Sequence, residues 1–325
     1  MDPVTLVIEK HGKASWRSRA LAAGVKNLVR PALSRASAGP VDYERAASFD
    51  RLARRFKPPR GTHVTSVRLD GFGAEWVHGP GVGKDRSQVI LYFHGGGWIS
   101  CGLNTHRRMI ARLSAAAGVP AFSVDYRMIP EVTFSEEVLD CLAAYEWLLD
   151  QGTAAADIVI AGDSAGGYLA FATALLARTA ELPMPAAIVA LSPMLDMDLT
   201  DKLAHANSKL DPTNVGLLLS TFISEICADL DLKDPRVSPI HADLRGLPPV
   251  FITAGSTELL ACDAEIMAKR LAAAGVPCTL QLWDQQLHVF QMFGELLPES
   301  RTGTAEIGAF VRRALTTARR VTDAA

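Results

Sequence analysis

Several things are missing from this sequence, and each absence narrows what the chain can be. No apolar run approaches the roughly 18 residues that a bilayer-spanning helix needs, which excludes an ordinary transmembrane helix. Cysteine is scarce: Cys101, Cys141, Cys227, Cys262 and Cys278 are scattered, odd in number and without a C-x-x-C pair. A disulfide framework is therefore excluded, no zinc-ligand spacing is offered, and a reducing, cytoplasmic setting is expected. There is no internal repeat and no low-complexity tract. The one run of three glycines, Gly95-Gly96-Gly97, has neither a Walker lysine nor the G-x-G-x-x-G spacing, so it is not a phosphate cradle. No cofactor, no metal and no nucleic-acid partner are expected. What is present, 49% hydrophobic and 21% charged residues over 325 positions, suits a globular protein with a sizeable core.

Acidic residues are absent from Lys10 to Val41. Residues 1–60 carry 13 Lys/Arg against 5 Asp/Glu, which leaves 20 basic and 30 acidic residues for the remainder. Leu21, Val25 and Leu28 fall at helical spacing, with Arg17, Arg19 and Lys26 elsewhere around the helix. A transit peptide, a membrane-surface helix and a cap helix seated on an acidic body all fit this pattern. The cap helix is the favoured reading, with attraction to anionic lipid left open. Asp42 then caps a second helix whose Tyr43, Ala46, Phe49, Leu52 and Phe56 share one face, ended by Pro58-Pro59-Arg60-Gly61.

Beyond that boundary, strands and helices alternate. The expected strands are 64–69, 89–93, 121–124, 158–161, 187–191, 250–253 and 279–283, with helices near 105–117, 135–150, 165–178, 262–274 and 304–319. This alternation predicts an α/β protein with a mostly parallel sheet covered on both faces. The rhythm stops between Asp196 and Asp234. There Asp211-Pro212 reads as the start of a helix carrying Val215, Leu217, Leu218, Leu219, Phe222, Ile223 and Ile226. That stripe is too wide for a surface helix. Either the helix is buried in the core, or it belongs to an insertion folded over a hydrophobic cleft, the slightly favoured reading.

Two motifs carry chemistry. Gly162-Asp163-Ser164-Ala165-Gly166-Gly167 follows the apolar run Ile158-Val159-Ile160-Ala161 and precedes a helix-like stretch. Strand, tight turn and helix are what a nucleophile elbow requires, with glycines allowing the sharp turn that lifts the serine hydroxyl above the sheet. Upstream, His94-Gly95-Gly96-Gly97-Trp98 ends the strand 89–93 and leaves backbone N–H groups without local acceptors. Acyl transfer needs such donors for the oxyanion of a tetrahedral intermediate. Serine also needs a base, and imidazole has the right pKa. In α/β-hydrolases the chain order is Ser, acid, His. Only His205, His241 and His288 follow Ser164, and His288 alone follows the last strand. For the acid, the strand 250–253 leads to Glu258, with Asp263 a little further on. Glu258 is nearer the strand end and is preferred, and Asp263 reads as a residue in the first turns of the next helix.

These residues resemble the hormone-sensitive-lipase-like (family IV) esterases of the α/β-hydrolase superfamily. His94–Trp98 matches that family's signature and Gly162–Gly167 its elbow. Asp125-Tyr126-Arg127-Met128-Ile129-Pro130-Glu131 is similar to its D-Y-R-L-A-P-E segment, and Asp234-Pro235-Arg236-Val237-Ser238-Pro239 to its D-P-x-x-S-P segment. The acid segment departs from the family, reading Thr257-Glu258-Leu259-Leu260 where many members carry Asp before Pro-Leu. The resemblance implies an α/β-hydrolase fold with a helical cap from 1–60 and 196–233 and a catalytic domain from 61–195 and 234–325. It implies oxyanion donors at Gly96, Gly97 and Ala165, supported by His94, Gly95, Gly162, Asp163 and Gly166. The expected function is a serine carboxylesterase for small hydrophobic esters of short to medium chain, with Ser164, Glu258 and His288 as the triad. A lactone, aryl amide or acylglycerol hydrolase and a non-catalytic binding protein are the alternatives. A membrane-surface contact and a homo-oligomer remain open.

Overall fold

A computed structural model of the chain describes residues 6–31, 39–213 and 215–323; side chains of 215, 217, 218 and 321–323 lie outside the described ones. Nine strands form one sheet in the order β1-β9-β8-β7-β6-β4-β5-β3-β2. They are β1 (Leu6–His11), β2 (His63–Arg68), β3 (Gly73–His78), β4 (Val89–Phe93), β5 (Ala121–Asp125), β6 (Ile158–Asp163), β7 (Ala187–Leu191), β8 (Val250–Gly255) and β9 (Cys278–Trp283). Only the β2–β3 and β3–β5 pairs are antiparallel. Every residue of β4, β6, β7 and β8 is buried, as expected of parallel strands covered on both faces.

The helices are α1 (Trp16–Gly24), α2 (Tyr43–Ala53), α3 (Leu103–Ala117), α4 (Phe134–Asp150), α5 (Ala165–Thr179), α6 (Thr200–Ala204), α7 (Asn207–Leu210), α8 (Val215–Ile226), α9 (Ala261–Ala273) and α10 (Pro298–Asp323). α4, α5 and α9 cover one face with a core of Leu91, Phe122, Tyr168, Ile188 and Met267. α3 and α10 cover the other over Ile90, Tyr92, Val159, Val189 and Phe251. The start of α4 shows why its boundary was legible. Thr133 N donates to Glu136 Oε2 (2.8 Å) and Glu136 N to Thr133 Oγ1 (3.4 Å), a reciprocal cap. None of the helices among the described residues is long and apolar enough to cross a membrane.

Three expectations need correction or qualification. The first concerns the N-terminus: residues 6–11 are not part of a helical cap but pair in parallel with β9, so β1 is a strand of the central sheet. The second concerns α2, where Asp42 caps the helix as expected by accepting from Arg45 N at 2.9 Å. The face that Phe49, Leu52 and Phe56 share is open to solvent, each of them being more than half exposed. Third, Asp211 does not start the long helix. It ends α7, and α8 begins at Val215. In the wide stripe, Leu219 and Ile223 join the core while Phe222 and Ile226 are partly exposed. The α1 region continues as a π-helical turn over Val25–Val29, with Leu21 and Val25 partly covered and Leu28 exposed. Positions 32–38 of the basic segment lie outside the described residues.

Sheet order sets where chemistry can sit. β5 and β6 lie on opposite sides of β4, so the chain reverses its winding direction there. The crevice at the carboxyl ends of β4 and β6 is the general ligand position of such sheets. The glycine triplet follows β4, and Ser164 follows β6.

Candidate active site

Ser164 sits between β6 and α5 with φ 54° and ψ −117°, the strained turn of an elbow. The turn closes because Gly162 and Gly166 have no side chains. A Cβ on Gly166 would run into the Phe93 carbonyl, and one on Gly162 into the Gly166 carbonyl. Ser164 N donates to Leu191 O (2.8 Å) and Ser164 O accepts from Met194 N (3.2 Å), so the elbow is bound to the end of β7.

The loop after β4 is held just as firmly. Gly95 N donates to Asp163 Oδ1 (3.2 Å), and Ser100 Oγ donates to Gly96 O (2.7 Å). Gly96 and Gly97 have φ of 131° and 65°, values that favour glycine. Their N–H groups meet no acceptor among the described residues, and Ala165 N opens a helix, where N–H groups have no intrahelical partner. These donors can serve an oxyanion.

Behind this loop is a buried polar network. Asp163 accepts from Tyr92 OH (2.7 Å) and His106 Nε2 (3.2 Å) besides Gly95 N. Burial works against the Asp163 charge, but His106 and the Tyr92 hydroxyl outweigh it and hold the carboxyl below its usual range. Burial likewise works against the His106 imidazolium, and Asp163 outweighs it, so that imidazole is pushed up. His94 differs. Burial, with His106 nearby, pushes it down to about 4, and its neutral ring stacks on Tyr126 at 4.4 Å.

Two further strand ends supply a carboxylate and an imidazole, Glu258 after β8 and His288 after β9. Glu258 is buried, and its Oε2 lies 2.7 Å from His288 Nδ1, which donates to it. Its Oε1 accepts from Ser192 Oγ (2.8 Å) and from Gly255 N. Ser192 Oγ also accepts from Val289 N (3.2 Å), so one hydroxyl ties the end of β7 to both the acid and the histidine loop. His288 Nε2 and Ser164 Oγ make no hydrogen bond among the described residues, to each other or otherwise; such contacts often tighten only around substrate. Burial lowers the His288 proton affinity, but the Glu258 carboxylate, with Asp211 and Asp163 further off, outweighs it and raises its pKa. Asp263 is engaged elsewhere. It accepts from Leu195 N (2.8 Å), Asp196 N (3.0 Å) and Lys202 Nζ (2.8 Å), and makes no hydrogen bond to the His288 ring.

Sequence reasoning missed four residues that brace this site: His106, Ser192, Asn207 and Asp211. Asn207 Nδ2 donates to Ser256 O (3.0 Å) and Glu258 O (2.9 Å), while Asp211 Oδ2 accepts from Leu259 N (2.9 Å). The segment 196–233 thus grips the acid loop. Ser192 could have been found, since it directly follows a core strand neighbouring the elbow. Strain concentrates here: Trp98, Cys101, Ser164, Ser192 and Val289 are five of the seven non-glycine residues with positive φ among those described. Such strain persists only where surroundings over-determine it. Among the described residues, only Glu9, His11 and Glu306 cluster closely enough to hold a metal ion together, on the β1 edge rather than at this site. Gln281 Nε2 already donates to both carboxylates.

An elbow serine, free backbone donors and a carboxylate–imidazole pair at adjoining strand ends define an α/β protein of hydrolase architecture. Comparison with known proteins specifies it further. A family model described as alpha/beta hydrolase fold matches residues 90–292. Carboxylesterase/phospholipase LipF of Mycobacterium tuberculosis is 37% identical over 274 residues, covering 82% of this chain and 73% of that protein. Esterase LipU of the same organism is 36% identical over 295 residues, 88% of this chain and 99% of that one. The crystal structure of an esterase from the bacterial hormone-sensitive lipase family superposes with a TM-score of 0.83 at 32% identity, covering 94% and 100% of the two chains. The chain belongs to the α/β-hydrolase family, on its hormone-sensitive-lipase-like branch.

Proposed function

We propose that this chain is a serine carboxylesterase in which Ser164, His288 and Glu258 form the triad. The observation that carries the reading is the 2.7 Å contact between Glu258 Oε2 and His288 Nδ1. It occupies Nδ1 and fixes the tautomer, leaving Nε2 as the base for the elbow serine. Ser164 Oγ attacks the ester carbonyl carbon while its proton passes to His288 Nε2. The oxyanion rests on the N–H groups of Gly96, Gly97 and Ala165. His288 gives the proton to the departing alkoxide, then takes one from the water that hydrolyses the acyl-enzyme.

The cap in this reading is made of residues from about Trp16 to 60 together with 196–233, with β1 assigned to the catalytic domain. Support comes from Phe222 on α8, whose ring would lie 3.0 Å from a Cβ on Gly97, so α8 reaches the oxyanion loop. Tyr43 OH donates to Glu225 Oε1 (2.7 Å), joining the two parts of the cap. An apolar wall over the oxyanion loop suits a small hydrophobic ester.

The test is hydrolysis of p-nitrophenyl esters from acetate to palmitate, with Ser164→Ala alongside. Turnover on short and medium chains that vanishes in the variant is expected. Turnover unchanged in the variant, or none from folded wild-type protein, overturns the reading.

A further inference from the structure

A second concave site lies apart from Ser164, Glu258 and His288. We propose that the cleft between the 57–60 linker, α3 and the start of α10 binds a phosphate-bearing anion. The cleft has a volume of about 650 Å³, and Lys57, Arg60, Arg108, Arg112 and Arg301 face it with Glu295 as the single carboxylate. Five cations against one acid is an unbalanced lining for a structural purpose. Arg108 and Arg112 stand four residues apart on α3, on one helical face, where like charges repel. Glu295 offers partial relief: its one ion pair among the described residues is a 3.9 Å contact with Arg301 Nε, and it also faces Arg112.

Arg112 is the decisive group. Its Nη1 is buried and meets no hydrogen-bond acceptor among the described residues. Its guanidinium packs against Gly294, in space that the side chain of any other residue there would take. An unpaired buried donor on a charged group is costly. Burial and the nearby Arg108 both weaken its hold on its proton, and Glu295 offsets this only in part. Arg108 is itself aligned, its Cζ lying 5.9 Å from the Phe56 ring centre. Guanidinium forks match the paired oxygens of phosphate. A phosphate monoester also carries about −1.5 to −2 charge at neutral pH, which answers the excess of cations better than one carboxylate would. The prolines at 58, 59 and 80 form a stiff, largely apolar wall beside these groups, where the organic part of the ligand would rest.

The ligand could be a soluble phosphate compound or the headgroup of an anionic phospholipid, and one experiment separates them. Full-length protein is titrated calorimetrically with inorganic phosphate and pyrophosphate, and sedimented with phosphatidylglycerol and phosphatidylcholine vesicles. Saturable pyrophosphate binding is expected, weakened by salt and by about tenfold or more in Arg108→Ala and in Arg112→Lys, which keeps the charge but loses the fork. Ser164→Ala should bind as wild type does, which keeps this test separate from the esterase reading. Pyrophosphate binding without vesicle binding assigns a soluble ligand; phosphatidylglycerol binding lost in both variants assigns a lipid headgroup. Arg108 is exposed, so its variant should melt as wild type does. No saturable binding to either probe, or binding unchanged in both variants, overturns the proposal.

Discussion

The strand-end platform and the segments that cover it are built on different terms. On the platform, β4, β6, β7 and β8 are buried along their whole lengths, and each loop leaving them is stitched to its neighbour: Gly95 to Asp163, Ser164 to Leu191, Ser192 to Glu258 and Val289. The N-terminal covering segments leave Trp16 69%, Leu28 77% and Phe49 56% exposed, while the 196–233 segment sends Leu219 and Ile223 into the core; polar contacts such as Asp50 with Thr105 and Asn207 with Glu258 O add to these. Acyl transfer needs donors and base within fractions of an ångström of their working positions, and only the platform is built to hold them. The cover need only shape the entrance. Its exposed apolar residues, Trp16, Leu28 and Phe49 among them, are thus free of the packing constraint that governs the core.

The largest expected effect lies on the platform. Ser164→Ala should lower kcat for p-nitrophenyl butyrate by about 10⁴–10⁶-fold, since the serine and base act as one unit. Its melting temperature should stay near that of wild type. A variant that kept substantial turnover would mean that the platform is not where the chemistry happens.

Two buried carboxylates that follow β8, Glu258 and Asp263, sharpen the contrast between chemistry and scaffolding. Glu258→Gln should cost about 10³–10⁴-fold in kcat by withdrawing support for the imidazolium. With His288 raised above 6.5 in the folded protein, kcat/KM should rise with pH through an inflection above that value, and Glu258→Gln should move it down. The sign of the stability effect follows. A raised histidine pKa stabilises the fold fully below 6.5 and loses that contribution as pH climbs through the folded value, so wild type and Glu258→Gln should converge in stability on the alkaline side. Asp263→Asn should do the reverse. It strands the buried Lys202 ammonium and should cost about 3–5 kcal/mol of stability, while the protein that folds keeps its turnover. Loss of turnover in folded Asp263→Asn, with Glu258→Gln active, would exchange their roles.

The same contrast marks how far the sequence could be read. Platform strands carry unbroken runs such as Val89–Phe93 and Ile158–Ala161, whose burial on both faces is written in composition alone. β3 escaped because Glu75 interrupts it. That carboxylate is buried against the Arg107 fork at 2.7 and 2.8 Å, a partner from another helix that no local pattern announces. β1 escaped because it is an edge strand with Val7 and Ile8 exposed, in a region whose basic charge suggested something else. Asp211-Pro212 has the local chemistry of a helix start, yet the aspartate is used across the fold, on Leu259 N. Motif residues were legible because their spacing is local. Bracing residues such as Asn207 and Ser192 were not, since their roles exist only once distant segments meet.

On the cover, effects should be smaller and fall on binding. Phe222→Ala removes the ring facing Gly97 and should raise KM for butyrate about tenfold with little change in kcat, the pattern of a lost apolar contact that does not change through the reaction. A fall in kcat matching that of a triad variant would make α8 part of the platform.

The smallest effect expected is also the least intuitive. α2 is amphipathic in sequence, and its apolar side would ordinarily be its anchor. Here Phe49 and Leu52 are more than half exposed, while Asp50 accepts from Asn104 Nδ2 (2.5 Å), Thr105 N (2.9 Å) and Thr105 Oγ1 (3.2 Å) at the head of α3. The polar residue is therefore the anchor. Phe49→Ser and Leu52→Ser remove little buried surface and should each change stability by no more than about 0.5 kcal/mol. Asp50→Ala strips the first turn of α3 of its cap and should cost about 1–2 kcal/mol. Thermal unfolding of the three variants checks the ranking. If Phe49→Ser were the most damaging, α2 would have to bury that face against something, and the cover would obey the same packing rules as the platform beneath it.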